Sequence, residues 1–134
     1  MSVDDLPDAE VEVLAALWEH GETTARRVRE SMERFRPMTH GAVFTLLSRL
    51  EAKGLVTRRK GDRGKAFLYR AKIRPQRTYR RLAGDLLERV FRGRSVTLVN
   101  SLFETAPPSD AEIDELQRML EEMRRERGDD EVDR

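Results

Sequence analysis

The stretch THGAVFTLLSRLEAKG, residues 39–54, decides the fold. Val43, Leu46, Leu47 and Leu50 recur at helical spacing and define one inward face. Thr39 stands where a hydroxyl can satisfy a free backbone N–H of the first turn. Gly54 follows the periodic run, where a left-handed stop favours glycine. The other face carries His40, Gly41, Phe44, Thr45 and Ser48, with Arg49 near its end. These residues are small or polar, apart from one aromatic and one cation, and none is acidic. A strongly basic segment follows at once. The stretch reads as a helix presented to the major groove of double-stranded DNA, with the rest of the chain as its support and its dimeriser.

Two helices are expected upstream. Residues 8–20 form the first, with Asp8 as its cap, Val11, Leu14, Leu17 and Trp18 as its apolar stripe, and Gly21 as its stop. Trp18 reads as a packing residue, because a lone tryptophan on an apolar stripe usually packs. Residues 23–36 hold the second, capped by Thr24, with Ala25, Val28 and Met32 inward and Pro37 ending the segment. Three short helices with tight connections match a helix-turn-helix. Downstream, residues 55–60 and 65–71 read as strands joined by Gly61-Asp62-Arg63-Gly64, residue types that tolerate a tight hairpin. Phe67 and Tyr69 alternate with Leu68 and Arg70, so one face of the hairpin can cover the helical core. A basic hairpin directly after the third helix is a wing, and its tip can reach phosphates or the minor groove.

Charge is unevenly spread. The 134 residues carry a net charge of +1. Residues 1–81 hold 18 Lys/Arg against 11 Asp/Glu, whereas residues 82–134 hold 8 against 14. Within residues 49–81 there are 13 basic and 2 acidic residues. Such segregation points to a polyanion-binding half joined to a half with another task. The sequence has no cysteine, which excludes disulfides and thiolate metal sites and fits a reducing compartment. No stretch approaches the roughly 20 apolar residues of a membrane span. The acidic opening MSVDDLPDAE is not expected to be a secretory leader, so a cytoplasmic protein without membrane insertion is expected. Enzyme chemistry is not expected. His20 and His40 lie on different helices, and neither a Gly-rich phosphate loop nor a paired-carboxylate pocket stands out. Glu19-His20-x-Glu22 lacks the two-histidine spacing of a zinc helix. No metal or cofactor is expected.

Residues 73–91 read as a long fourth helix with Tyr79, Leu82, Leu86 and Val90 on one stripe, widened by Leu87 and Phe91. A short apolar segment follows at 95–103, including Val99, Leu102 and Phe103. After Ala106-Pro107-Pro108, Ser109 and Glu112 form a capping box for a last helix running to about residue 127. Ile113, Leu116 and Leu120 lie on its stripe. These helices are too few to bury their own stripes, so a twofold homodimer is expected. The fold class is mainly α with a small β-hairpin wing. A winged helix-turn-helix occupies 1–72, a helical dimerisation region 73–127, and a disordered tail 128–134.

This order resembles the penicillinase-repressor (BlaI/MecI/CopY) family of bacterial transcriptional repressors. The resemblance is carried by DAEVEVLAALWEHG in the first helix, LLSRLEAKGLVTRR from the third helix into the wing, and KAFLYRA in the second wing strand. VTLVNSLFE and SDAEIDELQRMLEEM agree as well. It implies a winged-helix homodimer that represses transcription from a pseudo-palindromic operator. It also implies that the positions of His40, Gly41, Phe44, Thr45 and Ser48 lie at the DNA. Many members have consecutive threonines near Gly41 and Ala42, and this chain departs there. In antibiotic-responsive members a membrane zinc metalloprotease cuts the segment matching residues 99–103. The cut would align near Ser101-Leu102, where the best-known members have Asn-Phe. Without cysteine, the cysteine-rich metal site of the copper-responsive members is excluded.

At the expected DNA face, Arg49, Arg58, Arg59, Lys60, Arg63 and Lys65 neutralise phosphates, helped by Arg26 and Arg27. Thr39 caps the recognition helix. His40 or Thr45 can hydrogen-bond base edges, Phe44 either touches a thymine methyl or packs under the wing, and Gly41 allows close backbone approach. With so few polar readers, DNA shape contributes to recognition. Two other readings are a winged helix used only for protein contact and a ligand-sensing winged-helix regulator of another family.

Overall fold

A computed structural model describes residues 6–62, 64 and 66–132. Its elements are α1 (Asp8–His20), β1 (Thr23–Thr24), α2 (Ala25–Met32), α3 (His40–Ala52), β2 (Val56–Lys60), β3 (Phe67–Ala71), α4 (Gln76–Arg89), α5 (Ser95–Thr105) and α6 (Asp110–Val132). The chain divides into two compact units, Met1–Gly84 and Asp85–Arg134, so the division falls inside α4.

The first unit is a winged helix. Val13, Leu14 and Leu17 of α1, Val28 and Met32 of α2, and Val43, Leu46, Leu47 and Leu50 of α3 bury together. Leu55, Val56 and Tyr69 close this core from the sheet side. All four α3 residues that set its inward face are buried, as their spacing requires. Gly54 ends the helix segment with φ +76°, a conformation costly for a residue with a Cβ. Trp18 is half-buried. Its Nε1 donates to the Ile73 carbonyl at 2.9 Å, and its ring meets Tyr79 edge-on at 5.9 Å. Tyr79, expected among the dimerisation residues, meets Trp18 within the first unit and stays 56% exposed.

Three local expectations change. Asp8 lies in the first turn of α1, and Pro7 holds the cap position with extended backbone. Thr23 and Thr24 form a strand rather than the start of the second helix. They pair antiparallel with β3, Thr23 opposite Tyr69 and Thr24 opposite Leu68. Branched Cβ atoms favour this extended backbone, and Thr24 in that geometry still caps α2, its hydroxyl accepting from the Arg27 N–H at 3.2 Å. At its other end α2 stops at Met32, short of residue 36. The Phe35 and Arg36 N–H groups both return to the Met32 carbonyl, and Pro37 bars Arg36 from the helical region.

The sheet order is β1-β3-β2, with Val56 opposite Ala71 and Lys60 opposite Phe67 in the hairpin. The second unit holds the end of α4, α5 and α6. The capping box at the start of α6 is formed: Glu112 accepts from the Ser109 N–H at 3.0 Å, and Ser109 accepts from the Glu112 N–H at 3.2 Å. The tail expected to be disordered from residue 128 instead continues α6 to Val132. Extending an existing helix costs far less than nucleating one, and the single Gly128 costs only about 1 kcal/mol. No described residue of this unit is buried.

Candidate nucleic-acid interface

The exposed side of α3 is built from its N-terminus upward. Thr39 Oγ1 accepts the Ala42 N–H at 3.1 Å and fixes the helix start. His40, Gly41, Phe44, Thr45, Ser48 and Arg49 are all exposed, while Val43, Leu46 and Leu47 between them enter the core. Thr45 Oγ1 donates to the Gly41 carbonyl at 3.1 Å, which leaves the hydroxyl oxygen free to accept. A Cβ added at Gly41 would meet only Thr39 Oγ1, at 4.0 Å. Among the described residues, nothing requires glycine there.

Phe44 sits between the two roles considered for it. It is 40% exposed, and its ring meets the His40 ring edge-on at 4.7 Å. It lines an open cavity of about 360 Å³ between the starts of α2 and α3 and the sheet, together with Arg26, Phe67 and Tyr69. The lining is mostly apolar, so the face offers shape and apolar contact as well as hydrogen bonds.

The cations separate into two groups. Arg26 pairs with Glu30 at 3.2 Å. Arg58 pairs with Glu51 at 3.2 Å, and its guanidinium stacks over the Phe67 ring at 4.4 Å. Arg59 is held most firmly: its Nη2 and Nε donate to the Glu22 carboxylate at 2.7–3.1 Å. These hydrogen bonds hold the Glu22 carboxyl below the ordinary carboxylate range and raise Arg59. Arg27, Arg49 and Lys60 are exposed and form no ion pair among the described residues. Arg63 and Lys65, expected at the wing tip, lie outside the described residues.

The family model described as penicillinase repressor matches residues 6–122, most of the chain. The chain belongs to the penicillinase repressor family. It is accordingly a DNA-binding transcriptional repressor rather than an enzyme. Among relatives of this repressor, the penicillinase repressor of Bacillus licheniformis is 27% identical over 120 residues, covering 90% of this chain and 92% of the relative. A solution structure of monomeric Bacillus licheniformis BlaI in complex with the blaP half-operator is 26% identical. That match covers 55% of this chain and 87% of the other, with a TM-score of 0.47. The multiple antibiotic resistance repressor MarR shares the fold at 20% identity and a TM-score of 0.53, each chain covered to 78%.

Sequence reasoning about the repressor missed its carboxylates. Glu22, Glu30 and Glu51 take up three of the expected phosphate ligands. Glu10 is 1% exposed, and its carboxylate accepts from Lys53 Nζ at 2.7 Å, joining α1 to the end of α3. Glu10 stands at i, i+3, i+4 and i+7 spacing with Val13, Leu14 and Leu17. A charge on an apolar stripe is a readable sign of a buried pair. Nothing local marks Glu22, because its partner lies across a sheet whose first strand is only two residues long. None of the described helices is long and apolar enough to cross a membrane.

Proposed function

We propose that this repressor binds a pseudo-palindromic operator as a homodimer, with α3 in the major groove and the wing at the adjoining backbone. The supporting observation is the composition of the α3 outer face. His40, Gly41, Phe44, Thr45 and Ser48 are exposed together, without an acid, beside the unpaired cations Arg27, Arg49 and Lys60. His40, Phe44 and Thr45 read bases, and the three cations neutralise phosphates. The cytoplasm is where such an operator is met.

The homodimer is supported by what the second unit leaves uncovered. Leu86, Val90, Val99, Leu102, Ile113 and Leu120 are exposed, with Val90 at 65% and Leu120 at 59%. Leu82 is exposed too, while Phe103 and Leu116 are half-buried. Apolar rows of this extent call for a matching surface, and a twofold copy supplies one. Relief of repression by a membrane metalloprotease near Ser101-Leu102 belongs to the same reading through the family resemblance. Both residues lie within α5, so cleavage requires that helix to open locally.

Binding of the purified protein to fragments of its own upstream region, beside random DNA at two salt concentrations, tests the reading. One preferred fragment, steep salt dependence and a footprint with two half-sites are expected. Equal binding to every fragment would refute operator recognition. Absence of DNA binding would favour the protein-contact reading. Sedimentation at micromolar concentration tests the dimer.

A further inference from the structure

Glu22 and Arg59 form the one bidentate ion pair at the wing among the described residues, and its path is informative. Glu22 directly precedes β1, Arg59 belongs to β2, and β3 lies between these strands. Leu68 of β3 is opposite Thr24 on one side and Arg59 on the other. The pair therefore crosses the middle strand, a span of two strand spacings, or about 10 Å. Strand β1 contributes only two residues to the sheet, so few ladder bonds tie it to the hairpin. The ion pair adds a tie between α1's exit and the hairpin strand farther from it.

We infer that Glu22 and Arg59 form a strap that positions the wing, and that Arg59 is a positioning residue rather than a phosphate ligand. This rests on the operator-binding reading above. Two of Arg59's donor nitrogens, Nε and Nη2, are spent on Glu22. The third, Nη1, points to the Lys60 carbonyl at 3.5 Å and Asp62 Oδ1 at 3.8 Å. A phosphate would have to displace a carboxylate that already matches the guanidinium fork. Lys60, the next residue, lies on the opposite face of the strand by alternation and has no such partner. Arg58 on that second face is committed to Glu51 and the Phe67 ring.

The two roles for Arg59 predict opposite signs. If Arg59 were a phosphate ligand, Glu22 would be a competitor beside the DNA, and Glu22→Gln would tighten binding. If Glu22 and Arg59 are a strap, Glu22→Gln loosens the wing and weakens binding, by about two- to fivefold, although it removes a negative charge. Arg59→Lys keeps the charge and loses the bidentate fork, so the strap predicts weakening and a phosphate ligand predicts near-native binding. Glu22→Asp should restore part of the loss. The slope of log affinity against log salt should stay unchanged in these variants, whereas Lys60→Gln, which removes one cation from each copy of the homodimer, should reduce it by about 1.8.

Operator binding of the full chain across a salt series, with amide hydrogen exchange of Gly61 and Leu68 in the free protein, makes the test. The strap predicts weaker binding at unchanged slope and faster exchange in both Glu22→Gln and Arg59→Lys. Tighter binding of Glu22→Gln, or an Arg59→Gln slope lower by about two for the homodimer, would overturn it. Unchanged exchange would overturn it even if the wild type bound no DNA, an outcome that would separately sink the operator reading.

Discussion

Replacing Lys53 by methionine should cost the winged helix more than any surface cation is worth. Lys53 caps the end of α3, and its ammonium lies 2.7 Å from Glu10, whose side chain is 1% exposed; the lysine side chain is 19% exposed. Removing one partner of a buried pair strands the other charge, at a cost of about 3–5 kcal/mol. The partial exposure of Lys53 lets some water reach the carboxylate, which sets the expectation at about 3 kcal/mol. The chain has a single tryptophan, Trp18, packed in this unit, so its fluorescence follows winged-helix unfolding alone. With an m-value of about 1–1.5 kcal/mol per M urea, the midpoint should fall by about 2–3 M at fixed protein concentration. Replacing Glu10 by methionine as well should recover most of the loss, because an apolar pair removes both desolvation costs. A single-variant loss below about 1 kcal/mol, the scale of a surface pair, would refute the reasoning. A double variant no better than the single one would do the same.

Other expectations are smaller but equally direct. Gly41→Ala should raise stability by up to about 1 kcal/mol, since the new methyl meets only Thr39 Oγ1 at 4.0 Å, yet weaken operator binding if the DNA comes close; urea melts and gel shifts read the two effects separately. Thr39→Ala should lose about 1 kcal/mol in the same melts, the worth of the cap bond to Ala42. Phe44→Ala should narrow the preference for operator over random DNA by about 1–3 kcal/mol at most, and no change in that ratio would remove Phe44 from base readout. The Ser109 hydrogen bonds hold Glu112 below its ordinary range, so the folded form favours the carboxylate. The stability it lends to α6 is present above the unfolded pKa and is lost as pH falls through the folded one; Glu112→Gln should flatten that acid limb in a circular-dichroism titration.

Much of the fold is legible in the sequence, and the reason is periodicity. Val43, Leu46, Leu47 and Leu50 are buried because only one face of a helix can take them all. Thr39, Thr24 and Ser109 cap helices because their oxygens answer a local need. The two-residue strand β1 was hidden because two threonines carry no period, and only pairing with Tyr69 and Leu68 makes them a strand. The length of α6 was hidden for a related reason. Charged residues beyond Met123 carry no apolar signal, so the pattern fades before the backbone does.

The ion pairing of the proposed interface was not legible in the sequence. Counting Lys and Arg in the basic segment treats every cation as available to phosphate, and the fold does not. Arg26 meets Glu30 one turn along α2, and Arg58 and Arg59 each meet a carboxylate from elsewhere in the winged helix. Two of those carboxylates, Glu22 and Glu51, lie far from their partners in sequence or on another element. A salt bridge at the surface adds little stability, but it does fix a direction for a long flexible side chain. The consequence for recognition is a division of labour. On the operator-binding reading, the unpaired Arg27, Arg49 and Lys60 neutralise phosphates and contribute to the salt slope. On the operator-binding reading proposed above, Arg58 and Arg59 tie the hairpin to α3 and to the residue before β1, and His40, Phe44 and Thr45 are left to meet the bases together. A salt slope lower by about two for the homodimer of Arg59→Gln would mean that DNA pulls the paired arginines from their carboxylates, and this division would fail.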